Sequence, residues 1–189
     1  MIKKDDSYFI EKVKKGNSDI FKYLVERHKS MVFTIVLRII KNKEDAEEIA
    51  QDVFIKAFQS IDTFEGKSKF STWLYKIAYN LSISKVRKKK HEIIDINEDL
   101  ISDYKIFKTY NEFIKREEYE KNKILNKAIN KLDNKGGLII TLYYIEEKSI
   151  QEIEEITNLS KSNIKIILFR ARKQLFSILN DKKDLIYTY

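Results

Sequence analysis

Six residues near the C-terminus have the types and the spacing to hold a polyanion. Projected at about 3.6 residues per turn, Lys161, Ser162, Lys165, Phe169, Arg172 and Lys173 fall on one side of a helix. Ile164, Leu168, Ala171 and Leu175 fall on the other, at i, i+4, i+7 and i+11, and predict its buried stripe. Just upstream, "SIQEIEEITNLS" supplies a short helix with Ile150, Ile153 and Ile156 inward. A turn follows in which Leu159 plugs the angle between helices, and Ser160 is placed to cap the second helix. A short helix, a tight turn and a basic second helix make a helix-turn-helix. Its second helix can enter a major groove, with lysine and arginine on phosphates and guanine edges. The competing reading is a helical hairpin with a solvated basic face.

A second stretch raises a related question. "FSTWLYKIAYNLSISKVRKKK" (70–90) holds the only tryptophan, Trp73, and ends in five cations within six positions. A core helix followed by a solvated tail is one explanation; a single continuous surface is the other. No residues assemble for catalysis. His28 and His91 stand far apart without ligand-spaced partners, and each is expected at the surface. There is no glycine-rich phosphate loop and no nucleophile elbow, so neither cofactor nor metal is expected. The absence of cysteine excludes disulfides and thiolate zinc sites and suits a reducing compartment.

The elements that must position these residues are helical. The 189 residues contain no proline and four glycines, and apolar residues recur at helical spacing. Ile20, Tyr23, Leu24, Val32, Ile35, Val36, Ile39 and Ile40 predict a long amphipathic helix or a helix pair. It breaks at 42–45, where Asp45 is the expected N-cap of the next helix, with Glu47 and Glu48 in its first turn. That helix sets Ala46, Ile49, Ala50, Val53, Ala57, Phe58 and Ile61 on one face. "DTFEGKSK" reads as a loop, and a helix over about 71–88 turns Leu74, Ile77, Ala78 and Leu81 inward. Then the charge inverts: "EIIDINEDLISD" (92–103) has acids and no bases, as an extended linker would. Helix resumes near 112, and the last part reads as three helices separated at Glu147/Lys148 and at 158–160. The expected fold class is all-α, with two small helical domains (1–91 and 112–189) joined by an acidic linker (92–111), the C-terminal domain being the helix-turn-helix.

A net charge of +8 points to an anionic partner, nucleic acid or a membrane surface, although abundant Lys, Ile and Asn also reflect base composition. The first residues lack the apolar core of a signal peptide, and the run 31–40 is too short to span a bilayer. A cytoplasmic protein without membrane insertion is expected.

Four stretches, in order, resemble a bacterial RNA polymerase sigma factor of the compact extracytoplasmic-function type: "DAEEIAQDVFIKAF", "FEGKSKFSTWLYKIAYN", "LYYIEEKSIQEIEEITNLS" and "IKIILFRARKQL". The resemblance implies a region 2 type domain before the linker and a region 4 type domain after it. The helix from Asp45 looks like the one that docks on the clamp coiled coil of the polymerase's largest subunit. Its outward Asp45, Glu48, Gln51, Asp52 and Ile55 suit a partner helix bearing arginines. A contact with the flap of the second-largest subunit is implied as well. Phe64, Lys67, Ser68, Lys69, Phe70, Ser71, Thr72, Trp73, Lys76 and Asn80 match the segment that opens and reads the minus-ten element. There a loop of Gly66, Lys67 and Ser68 can fold over a flipped base, and the Asn80 amide can read its edge. Trp73 is either a half-buried wedge or a stacking platform. Lys85, Arg87 and Lys88 would hold duplex phosphates. The helix-turn-helix would read the minus-thirty-five element through Lys161, Ser162, Asn163, Lys165, Phe169, Arg172 and Lys173. The linker would thread a basic cleft of the polymerase, and an anti-sigma protein is the implied inhibitor.

The chain departs from the family pattern at Glu154, where a small alanine is usual, near Asp133, where proline is usual, and at Ile166 and Ile167. The principal rival is a stand-alone helix-turn-helix regulator of duplex operators. A polymerase adaptor without promoter choice is the lesser one.

Overall fold

The computed structural model describes residues 5–92 and 115–180. The chain divides into two units, Met1–Asp103 and Tyr104–Tyr189, and the described residues of each are helical with no strand. The all-helical expectation and the helix-turn-helix both hold. The expected linker (92–111), Glu92 apart, lies outside the described residues, as do 112–114.

The N-terminal unit opens with α1 (Asp6–Lys14), which periodicity did not predict. Asp5 caps it by accepting from the Tyr8 amide, and Ile10 and Val13 are its buried residues. Gly16, at φ +94°, lets the chain reverse into a 3₁₀ turn (Ser18–Ile20) and α2 (Phe21–Ile40). Lys41 ends α2 in the left-handed region, and α3 (Lys43–Gln59) begins at once. Its N-cap is Asn42, not Asp45: extended Asn42 accepts from the Asp45 amide at 2.9 Å. Asp45 therefore sits in the first turn, where its charge meets the positive end of the helix dipole. A 3₁₀ turn (Ile61–Thr63) and a loop lead to α4 (Phe70–Glu92).

Helices α2, α3 and α4 pack on one another in all three pairings. Leu24, Val32, Ile35, Val36, Val53, Leu74, Tyr75 and Ala78 are fully buried between them. The inward stripe of α4 differs from the expected one. Tyr75, Ala78 and Ser82 occupy the core, while Ile77 and Leu81 are half-buried. Phe58, expected inward, is 41% exposed and meets Phe21 edge to face. Tyr23 also lies outside the core, stacked on Phe9.

His28 corrects the surface expectation directly. It is buried, its Nε2 lies 2.9 Å from an Asp6 carboxylate oxygen, and its ring packs against Phe70. Arg27 donates to the other Asp6 oxygen, so one carboxylate fastens α1 to α2. Partial burial pushes the Asp6 carboxyl up, but the hydrogen bonds and charges of His28 and Arg27 outweigh it and hold the group below the usual carboxylate range. A lowered folded value stabilises the fold above the unfolded pKa, and that contribution is lost as pH falls through the folded one. Asp6→Asn should therefore cost up to about 1 kcal/mol near neutrality, the scale of a solvent-accessible ion pair. The gap between variant and parent should narrow as pH falls below the ordinary carboxylate range and through the lowered folded value, as denaturant melts recorded across pH would register.

The C-terminal unit contains α5 (Lys115–Asn130), α6 (Asn134–Ile140), a π turn (Thr141–Ile145), α7 (Ile150–Thr157) and α8 (Lys161–Asn180). Asp133, standing near the family's usual proline, caps α6 by accepting from the Gly136 amide at 2.9 Å. A Cβ on Gly136 would come 2.5 Å from that Asp133 oxygen and 3.4 Å from the Ala171 Cβ of α8. The first contact means that a larger residue would displace the capping carboxylate, whereas the second is ordinary van der Waals contact between the two helices. Ile139, Leu142, Ile153, Ile156 and Ile164 are fully buried, and α8 buries the expected stripe of Ile164, Leu168, Ala171 and Leu175.

Candidate nucleic-acid interface

The loop before α4 carries the first group of candidate residues. Its tip is open: Gly66 adopts φ +74° with no atom within 4 Å of where a Cβ would stand, and Lys67 pairs with Glu65. The loop is closed at its far end by the start of α4, where the Lys69 carbonyl accepts from the Thr72 and Trp73 amides. The residues at its two ends belong to a three-ring cluster. Phe64, Phe70 and Trp73 have centroids 5.3–5.6 Å apart, and His28 packs edge to face on Phe70.

Burial sorts the candidates. Phe70 and Thr72, expected as DNA contacts, are 4% and 2% exposed and present almost no surface to a base. The docking of α4 on α2 accompanies the burial of both. Phe64, Ser68, Ser71 and Trp73 are half-buried, whereas Lys67, Lys69, Lys76 and Asn80 are exposed. Lys76 and Asn80 are one turn apart on the same face of α4. Trp73 is thus partly accessible while its ring packs against Phe64 and Phe70. Tyr79, which the sequence reading passed over, is half-buried beside them; burial raises its hydroxyl pKa while the charge of Arg87 opposes the rise.

Further along α4, Arg87 and Lys88 are exposed but Lys85 is engaged. Its ammonium lies 3.1 Å from a Glu48 oxygen and 3.7 Å from one of Asp45. The hydrogen bond to Glu48, then that carboxylate's charge, raises the Lys85 pKa. Two groups of candidates, the basic end of α4 and the acidic face of α3, therefore meet at one cation. Glu48 is otherwise exposed and Asp45 half-buried, while Gln51, Asp52 and Ile55 complete the face as exposed residues, Ile55 at 55%.

The helix-turn-helix is built as its residues dictate. Ser149 and Glu152 form a reciprocal capping box at the start of α7, Asn158 ends it at φ +56°, and the Ser160 hydroxyl accepts from the Asn163 amide. On α8, Lys161, Ser162, Asn163, Lys165, Phe169, Arg172 and Lys173 are all exposed. Lys161 reaches Glu154, 3.7 Å away, so the acidic departure ties α7 to the start of the basic helix. Arg172 donates to the Tyr144 hydroxyl at 3.4 Å. Ile166 points outward at 49% exposure, and Ile167 is half-buried at the edge of the core stripe. Phe176, one heptad beyond Phe169, is 69% exposed and was not among the expected contacts; the seven-residue spacing was the available signal.

Two family matches cover these surfaces. Sigma-70 region 2 matches residues 24–92, and Sigma-70 region 4 matches residues 122–175. The ECF RNA polymerase sigma factor SigW of Bacillus subtilis (strain 168) is 35% identical over 180 residues, spanning 91% of this chain and 95% of that protein. SigM of the same strain is 32% identical over 149 residues, 79% of this chain and 88% of its own length. Among solved structures, the sigma factor RpoE bound to the anti-sigma factor NepR from Bartonella quintana superposes with a TM-score of 0.67 at 23% identity, covering 85% of this chain and 96% of that one. CnrH in complex with the cytosolic domain of CnrY gives 0.62 at 20% identity, covering 93% and 97%. These two likenesses establish the fold.

Proposed function

We propose a division of labour among these surfaces from one premise: the chain belongs to the extracytoplasmic-function RNA polymerase sigma factors of the sigma-70 family. It binds core RNA polymerase and directs promoter recognition, DNA melting and transcription initiation. The residue assignments are ours. The acidic face of α3 (Asp45, Glu48, Gln51, Asp52 and Ile55) docks on the clamp coiled coil of the largest subunit, and the C-terminal unit meets the flap of the second-largest. The loop 64–69, with Trp73, Lys76 and Asn80, accepts unpaired bases of the minus-ten element. Arg87 and Lys88 hold adjacent duplex phosphates, joined by Lys85 once Glu48 is taken by polymerase. The outward face of α8 reads the minus-thirty-five element.

The observation that carries this reading is an open loop tip flanked by the half-buried rings of Phe64 and Trp73, with an exposed amide on the next helix and cations beyond it. Such a surface suits the junction between melted and paired DNA. Bases stack on the aromatic edge, the amide reads one of them, and the cations neutralise phosphates. No group transfer is assigned to the chain. The proposed place of action is the cytoplasm, with core polymerase; separately, no described helix is long and apolar enough to cross a membrane. An anti-sigma protein that covers one or both units is its proposed inhibitor.

Asn80 provides the sharpest test. With holoenzyme on a panel of promoters changed one base at a time, Asn80→Ala should lose about tenfold in preference at a single minus-ten position. Lys88→Ala should weaken every promoter alike and reduce the salt dependence. An equal loss across the panel for Asn80→Ala would remove its base-reading role.

A further inference from the structure

The loop that carries Gly66, Lys67 and Ser68 is held at its stem from a distant part of the chain. Lys14, in the last turn of α1, donates from Nζ to the carbonyl oxygens of Asp62 at 3.3 Å and Phe64 at 2.6 Å. These partners lie 48 and 50 residues along the sequence. They bracket the exit from the 3₁₀ turn Ile61–Thr63, the point at which Phe64 leaves helical geometry for extended backbone. A lysine ammonium has three donors and no acceptor, and here two donors grip neutral backbone carbonyls. Charge-assisted bonds of this kind are shorter and stronger than neutral ones.

The helix that presents Lys14 is itself fixed. Ile10 and Val13 are buried, and Asp6 is tied to Arg27 and His28 of α2. His28 in turn abuts Phe70, the residue at the loop's other end. One short helix therefore bears on both ends of the loop: directly at the stem through Lys14, and through His28 and Phe70 at the exit. Between these fixed ends the tip stands in open space around Gly66. Helix α1 lies wholly ahead of the Sigma-70 region 2 match, which begins at residue 24.

We propose that Lys14 is a positioning residue of the minus-ten reading loop, which sets where the tip meets an unpaired base without itself touching DNA. This rests on the role assigned above to the loop. Holding a recognition element in one geometry raises both its rate and its selectivity, because the ordering is complete before the base arrives. Freed from the clamp, the stem would sample more conformations, and the tip would distinguish bases less well.

The test uses full-length chain with purified core polymerase and promoters altered one base at a time across the minus-ten element. Run-off transcription and permanganate reactivity of unpaired thymines are read together. Lys14→Met, which keeps the length but not the donors, should lower base discrimination and the rate of opening about five- to tenfold. Lys14→Arg, which keeps charge and donors, should restore most of both. Core affinity and the thermal melt should stay close to the parent's. A Lys67→Ala/Ser68→Ala chain is the comparison. If it loses discrimination while Lys14→Met keeps it, the positioning role is overturned and the loop's role stands. If neither variant changes discrimination, the loop's role fails and the inference fails with it. A uniform loss on every promoter with reduced salt dependence would make Lys14 a phosphate contact, which also overturns the proposal.

Discussion

A chain carrying Asp52→Arg is expected to bind core polymerase about a hundredfold more weakly than its parent, since like charges placed opposite one another at an interface cost several kcal/mol. Asp52 is exposed in the middle of α3, on the same arc as Glu48 and Ile55, and the core-facing Val53 lies on the other side. Reversing its charge therefore leaves the unit's packing intact, and the melt of the free protein should barely move. Asp52→Asn should fall between the two, because it removes the attraction without adding repulsion. Titration of labelled core polymerase with each chain measures this series. Unchanged affinity for Asp52→Arg would detach α3 from the polymerase contact.

The second large effect is structural. Tyr75→Ala should cost the N-terminal unit about 3–5 kcal/mol, the range for truncating a buried aromatic. Tyr75 is fully buried, and a domain's whole stability is only about 5–15 kcal/mol. Transcription should collapse at temperatures the parent tolerates, with early loss of the α-helical signal on heating. Trp73→Ala is the counterpart two residues away. Because Trp73 is half-buried beside Phe64 and Phe70, its loss should leave the unit folded and slow promoter opening instead. Equal destabilisation by both changes would contradict the division between core and surface along this helix.

The contrast between these two aromatics marks what the sequence could and could not carry. The helix-turn-helix was legible because its determinants are local. The buried stripe of α8 lies within one helix, Ser160 and Asn163 are three residues apart, and the Ser149–Glu152 box spans a single turn. The start of α4 was less so. Trp73 drew attention by its rarity, yet Tyr75 took the core, because the rotation of α4 is set by what α2 and α3 offer it. The same docking buries Phe70 and Thr72. Asp45 was expected to cap α3, but Asn42, three residues earlier, reached extended geometry and took the role.

Long-range polar pairs were out of reach for a more basic reason. His28 is separated by 22 residues from Asp6, and Lys85 by 37 from Glu48. No spacing rule connects such positions, and a buried histidine looks the same in sequence as an exposed one. Helix α1 has no legible period because only Ile10 and Val13 of its nine residues are buried, too few to establish one amid dense charge. It is this helix that holds the loop stem through Lys14, so the least legible element of the unit bears on the loop whose tip is open around Gly66.

Run-off transcription with purified core polymerase on genomic fragments is the decisive measurement. Core enzyme with the full chain should yield discrete promoter-dependent transcripts that core enzyme alone does not, with thymines unpaired at the minus-ten element. The free chain should bind the same duplexes far more weakly than the holoenzyme does. Tight binding of the free chain to a duplex operator, with no promoter-dependent transcript from the reconstituted enzyme, would contradict the assignment.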